Sequence, residues 1–121
     1  MPTWAFREDI GDGLLRCYPE LTLKRLAAWT KRSDEQTRWN VAMVFSAAEA
    51  ARHVGAALPI LTELAADERR FVWRAVASAM RNLGRRRYTQ VVPLLKGWLH
   101  DEQRRRVAEV ALRYVEGDTH R

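Results

Sequence analysis

Between residues 69 and 87 the chain reads RRFVWRAVASAMRNLGRRR, apolar and cationic side chains interleaved at helical spacing. At about 100° per residue, Val72, Val76, Ala79 and Leu83 share one stripe, and Arg70, Arg74, Ala77 and Arg81 share another nearly opposite. Trp73 falls on a flank beside Met80. The pattern predicts an amphipathic helix with a core-facing side and a basic side. An earlier stretch behaves alike: Val41, Val44, Phe45 and Ala48 make an apolar face, with Trp39, Met43, Ser46 and Ala50 opposite. Near the N-terminus, Phe6, Ile10, Leu14 and Cys17 make a third face, opposed by Trp4, Glu8 and Leu15, with Asp12 at its edge. Nothing reads as a pair of β-strands.

The pattern also recurs. LPILTELAADERR, from Leu58, aligns with VPLLKGWLHDEQR, from Val92, at an offset of 34. Pro59 then meets Pro93, Leu61 meets Leu95, Asp67 meets Asp101 and Val76 meets Val110. LKRLAAWTKRSDEQTRWNVAMVFSAA is a looser third copy, with Asp34 matching Asp67 and Trp39 matching Trp73. Each copy reads as helix, tight turn, helix. Pro59 and Pro93 suit a first helical turn, where no N–H is needed. Asp67 and Asp101 suit N-caps, and Ser33 with Gln36 resembles a capping box. Gly55, Gly84 and Gly117 stand where second helices are expected to end. Expected first helices lie near 20–31, 58–66 and 90–100, and second helices near 34–53, 68–83 and 102–116. An unpaired helix, about 4–17, precedes them. Trp29 and Trp98 fall within first-helix apolar patterns and are expected in the core.

Such pairs bury their apolar faces against the next copy. The expected fold is therefore all-α: one domain over 1–121, an α-α superhelix (solenoid) of about three HEAT-like helix pairs plus one N-terminal helix. The units run 4–17, about 20–53, 57–84 and 90–117. The lone first helix is expected to offer its docking surface to an upstream repeat, a partner or a second copy, making a homo-oligomer one expectation.

Composition sharpens this. Net charge is +6, with +1 on residues 1–60 and +5 on 61–121. Arg outnumbers Lys 18 to 3. Arginine suits phosphate because its planar fork donates two parallel hydrogen bonds; a GC-rich coding bias would enrich it equally. Mean hydropathy is −0.41, and no uncharged stretch approaches the roughly 20 residues of a membrane span. MPTWAFRED has no signal-peptide core, so no membrane association and a cytoplasmic location are expected. One cysteine, Cys17, excludes an intrachain disulfide. His53, His100 and His120 have no ligand spacing, so neither metal nor cofactor is expected. No GxSxG, Cys-His pair or phosphate-cradling Gly-rich loop is present.

VWRAVASAMRNLGRRRYTQV resembles a segment of the AlkD-type DNA alkylation repair proteins, a HEAT-like superfamily that includes alkylpurine DNA glycosylases. There a basic residue, Ala-Ile/Val, small residues and Leu-Arg lead into a short basic turn; here these are Arg74, Ala75-Val76, Ala77 and Met80-Arg81. WTKRSDEQTRWNVAMV looks like the preceding Trp-then-Arg repeat, and WAFRE at 4–8 like the opening of some divergent members. The likeness runs from about Trp4 to Val115. It implies a concave groove for a DNA backbone, with Arg81 at the position that contacts DNA near a lesion. The family's Trp-Trp-Asp-x-Val-Asp segment, which supplies the glycosylase carboxylate, has no counterpart.

Three functions follow as expectations. The first is a binding module for the DNA backbone, using Arg70, Arg74, Arg81, the cluster Arg85, Arg86 and Arg87, and the aromatics Trp39 and Trp73, with Arg105 added by the last copy. The second is a protein-interaction scaffold for an acidic partner. The third is a glycosylase-like hydrolase, with Glu8 or Asp12 as the carboxylate beside Trp4 and Trp39. A Trp at helical spacing also serves packing between repeats, and a basic stripe also serves as a solvated face.

Overall fold

The structure is a computed structural model; it describes residues 11–119, with side chains as far as 116. The described residues are all-α, with no strand among them. The chain is helical at 11–17 (α1), then forms α2 (Pro19–Trp29), α3 (Glu35–Val44), a 3-10 helix (Ala48–His53), α4 (Val54–Leu64), α5 (Arg70–Arg86), α6 (Tyr88–Trp98) and α7 (Arg105–Thr119). No described helix is long and apolar enough to cross a membrane.

α5 is the hub, packing on α3, α4, α6, α7 and the 3-10 helix. Its core stripe is Val72, Val76, Ala79, Met80 and Leu83, all at most 1% exposed. Burying each of the larger side chains is worth about 1.5–3 kcal/mol. Leu61, Leu64, Leu95, Val107 and Ala111 close the core from α4, α6 and α7. Gly84 sits inside α5 rather than after it. A Cβ there would lie 2.9 Å from Val115 Cγ2, so the glycine admits close approach of α7. Gly55 and Gly117 likewise lie within α4 and α7, and no described residue has the positive φ of a glycine C-cap.

The prolines are mid-helix, not in first turns. Pro59 and Pro93 are each the sixth residue of their helix, α4 and α6. A proline there cannot bond the carbonyl four residues back, which is that of Gly55 or Thr89. All four of these residues are exposed, so the orphaned carbonyls are open to solvent. The two helices begin at Val54 and Tyr88, keeping the offset of 34.

The expected single helix over 34–53 is instead α3, a turn and the 3-10 helix. Nothing in FSAAEAA is a local breaker; tertiary partners support the break. Asp12 Oδ1 accepts from Glu49 N at 2.9 Å, and Asn82 Nδ2 donates to Ser46 O at 3.0 Å. The break also redistributes the expected faces: Ser46 and Ala50 are buried, while Ala48 is exposed.

Three turn aspartates organise the pairs. Asp34, not Ser33, caps α3, accepting from the backbone N–H and hydroxyl of Thr37. The Thr37 hydroxyl, with its N–H and Arg32 adding to it, holds the Asp34 carboxyl at about 2. Asp101 accepts from Gln103 N at 2.9 Å and from Arg104 Nη1 at 2.7 Å, and its pKa is lowered, the Arg104 bond contributing most. Asp67 lies in the turn before α5, whose N-cap is Arg69. Its side chain is 6% exposed and meets two guanidinium groups, Arg69 Nη2 at 2.7 Å and Arg38 Nε at 2.8 Å. Burial raises its pKa, but bonds from the Arg69 side chain and backbone and from Arg38 outweigh it, leaving about 2. Arg38 also donates to Thr30 O at 2.7 Å, and Arg104 to Thr62 O at 2.7 Å, tying successive turns together.

Trp98 is buried at 5% exposure, as expected, but Trp29 is 44% exposed. α2 buries only Leu26 among its side chains, and no further helix among the described residues covers its outer face.

Candidate functional site

An open cleft of about 460 Å³ lies between α5 and α7. α5 contributes Arg70, Trp73, Arg74, Ala77, Ser78 and Arg81, and α7 contributes Val110, Arg113 and Tyr114. The cause is local. α5 turns its core stripe toward α3, α4 and α6, so the Arg stripe emerges on the other side. α7 then packs over Ala77, which is 2% exposed, because alanine lets it close down between the arginines. The described lining has four arginines and no carboxylate.

The electrostatics follow. Arg38, Arg69 and Arg104 spend their charge on turn aspartates. Among the described residues, Arg70, Arg74, Arg81 and Arg113 have no carboxylate partner. Like charges gathered on low-dielectric walls focus a positive potential into the cleft. Arg81 is held by an aromatic contact, its guanidinium 5.0 Å from the centroid of the Tyr114 ring. Its Nε is buried without a hydrogen-bond partner. Arg106 covers Trp73 in the same way, at 5.3 Å, and donates to Asp67 O at 3.3 Å.

The residues expected to bind DNA therefore separate. Arg70, Trp73, Arg74 and Arg81 meet in the cleft. Trp39 does not line it; that ring is half-buried against the core. Arg85 and Arg86 line a smaller depression of about 260 Å³ with Ser46, Ala48 and Asn82, between α5 and the α3–3-10 break. Arg87 turns away, donating from Nε to Ala51 O at 3.0 Å. Arg105 donates to Leu99 O at 3.2 Å at the start of α7. Arg113 and Tyr114 were not anticipated. The signal for Arg113 was present: Arg106, Val110 and Arg113 recur at helical spacing on α7.

Of the catalytic candidates, Asp12 is not part of the described cleft lining. Glu8 lies outside the described residues, as does Trp4. Asp12 accepts from Glu49 N and lies 3.5 Å from Arg16 Nη1, a contact within α1 and its neighbour. Among the described residues no group of three or more His, Cys, Asp or Glu side chains could hold a metal ion.

A second surface is apolar. Gly11, Leu14, Tyr18, Leu21, Leu26, Trp29 and Val44, with Thr22 and Arg25, line a groove on α1 and α2 beside the end of α3. Leu14, Tyr18, Leu21 and Trp29 are between 44% and 62% exposed. No family model, curated protein or solved structure matches the chain.

Proposed function

We propose that this chain is a HEAT-like helical-repeat module that binds the phosphate backbone of nucleic acid in the α5–α7 cleft. In this reading the helix pairs stack as an α-α superhelix, and the second helices α5 and α7 present the binding face. The observation that carries it is the set of four arginines, Arg70, Arg74, Arg81 and Arg113, converging without a carboxylate. Four uncompensated guanidinium groups in an open cleft are complementary to a polyanion, and arginine forks match phosphate oxygens. The surface offers charge and aromatic rings but no patterned donor–acceptor set for base edges, so binding is sequence-independent. The resemblance to DNA alkylation repair proteins makes DNA the first ligand to test. The described lining supplies no carboxylate to stand at a sugar, so the proposal is binding rather than hydrolysis.

The test is fluorescence anisotropy of a labelled duplex carrying an abasic analogue, from about 20 to 200 mM salt. Four phosphate contacts predict a log–log slope of about −3 to −4. Arg74→Glu and Arg81→Glu should weaken binding to every duplex and flatten that slope, while Arg52→Glu, at an exposed position of the 3-10 helix, should do neither. No binding at the lowest salt overturns the reading.

The apolar groove on α1 and α2 favours a second reading, a protein-binding scaffold that self-associates through its N-terminal helices. Four large apolar side chains exposed together are uncommon on a surface without a partner. Sedimentation velocity tests it: concentration-dependent association should disappear in Leu21→Glu.

A further inference from the structure

The cleft and the smaller depression are linked along α5. Residues four apart on a helix form a continuous row that winds about 40° per step. One such row is Arg70, Arg74, Ser78, Asn82 and Arg86, and every member is exposed or half-buried. Its first three members line the α5–α7 cleft. Its last two line the depression beside Ser46. The row thus starts under α7 and ends against the α3–3-10 break, with no acidic residue along it. Asn82 is anchored there by its bond to Ser46 O. Ser46 lines the same depression; the residue is 7% exposed, and its Oγ is buried without a hydrogen-bond partner.

We infer that this row is a track for one strand of nucleic acid, with a second phosphate subsite at Asn82, Arg86 and Ser46. The inference rests on the cleft reading above and narrows it to single-stranded ligand. From Arg70 to Arg86 the track is roughly 24 Å long at 1.5 Å per residue. An unstacked strand spans about twice the 3.4 Å per nucleotide of a duplex strand, so the track holds about five phosphates. Its direction selects the ligand. A rigid duplex lies against one side of a helix, whereas the row turns by about 160° between its ends. A flexible strand follows such a row. Tyr114, 46% exposed at the cleft end, offers a ring on which an unpaired base stacks; a duplex keeps its base faces covered.

The experiment measures oligo-dT of 4, 6, 8, 10 and 15 nucleotides by anisotropy and competition, alongside a duplex. Affinity corrected for the number of registers should rise to about six nucleotides and then level. Arg86→Gln, an exposed change at the last turn of α5, should lower the salt slope for dT10 by about 0.7 and leave dT4 in the cleft unchanged. Ser46→Ala should weaken dT10 but not dT4. Levelling already at four nucleotides overturns the track, as does an Arg86→Gln variant that binds dT10 like the parent. Duplex binding with no oligo-dT binding overturns the track alone. Absence of binding to either overturns the cleft reading beneath it.

Discussion

Asp67→Asn removes the charge on which the α4–α5 turn is built. The Asp67 carboxylate accepts four hydrogen bonds: Oδ1 from Arg69 N at 2.9 Å and Arg69 Nε at 3.0 Å, Oδ2 from Arg69 Nη2 at 2.7 Å and Arg38 Nε at 2.8 Å. Its side chain is 6% exposed and that of Arg38 14%. Lowering the carboxyl from 3.8 to about 2 corresponds to roughly 2 kcal/mol of folding stability at neutral pH. The amide also strands the half-buried Arg38 charge, and breaking a buried pair costs about 3–5 kcal/mol. The variant should therefore lose between about 2 and 4 kcal/mol at pH 7, or at least about 6–10 °C in Tm. The pH dependence follows from the direction of the shift. The folded carboxyl titrates below the unfolded one, so its contribution is complete above pH of about 4 and is lost as pH falls toward 2. Urea unfolding followed by circular dichroism, at pH values from 7 down to 2.5, measures both quantities. Parent and variant should converge toward the acid end. A double-mutant cycle with Arg38→Ala should return a coupling of about 1.5–3 kcal/mol. A stability difference below about 0.5 kcal/mol at pH 7, or one constant from pH 5 to 2.5, would refute the argument.

Other expectations test separate links. Gly84→Ala should destabilise by about 1 kcal/mol, because overpacking against Val115 exceeds the helix-propensity gain, whereas Gly97→Ala, whose added Cβ meets no neighbouring element within 4 Å, should be neutral to stabilising; chemical denaturation should show a loss for the first and none for the second. Leu83→Ala, opening the centre of the core at a residue 1% exposed, should cost about 2–5 kcal/mol in the same assay. Thr37→Val should move the Asp34 carboxyl back up toward its ordinary value, read by carbon NMR titration, because the Thr37 hydroxyl is the main cause of its depression. Arg113→Gln should reduce the salt slope for duplex DNA by about 0.9 without changing the thermal midpoint, since Arg113 lines the cleft and is exposed.

Helical periodicity is a property of consecutive residues, so much of the molecule could be read before it was folded. The stripe Val72–Val76–Ala79–Leu83 and the opposing Arg70–Arg74–Arg81 need only the 3.6-residue turn to separate. The offset of 34 likewise survives, because Pro59 and Pro93 hold the same place in α4 and α6. What failed depended on distant partners. Gly84 looked like a stop and is an interior contact, since Val115 comes to it from α7. The helix expected over 34–53 breaks after Val44 at a sequence with no breaker, because Asp12 and Asn82, far away in the chain, satisfy the freed backbone. Trp29 reads as core by its spacing but sits on the uncovered side of α2.

The candidate site divides along the same line. Which arginines share a face of α5 is set by sequence alone. Which arginines of the chain keep a free charge is only partly so: Arg69 and Arg104 meet aspartates within their own turns, whereas Arg38 reaches Asp67, and Arg87 the Ala51 carbonyl, only once the turns stack. Arg113 and Tyr114 complete the cleft because α7 lies across Ala77, a residue small enough to let it do so. Local periodicity determines the faces of each helix; packing between helices decides which face meets water and which charges remain unpaired there.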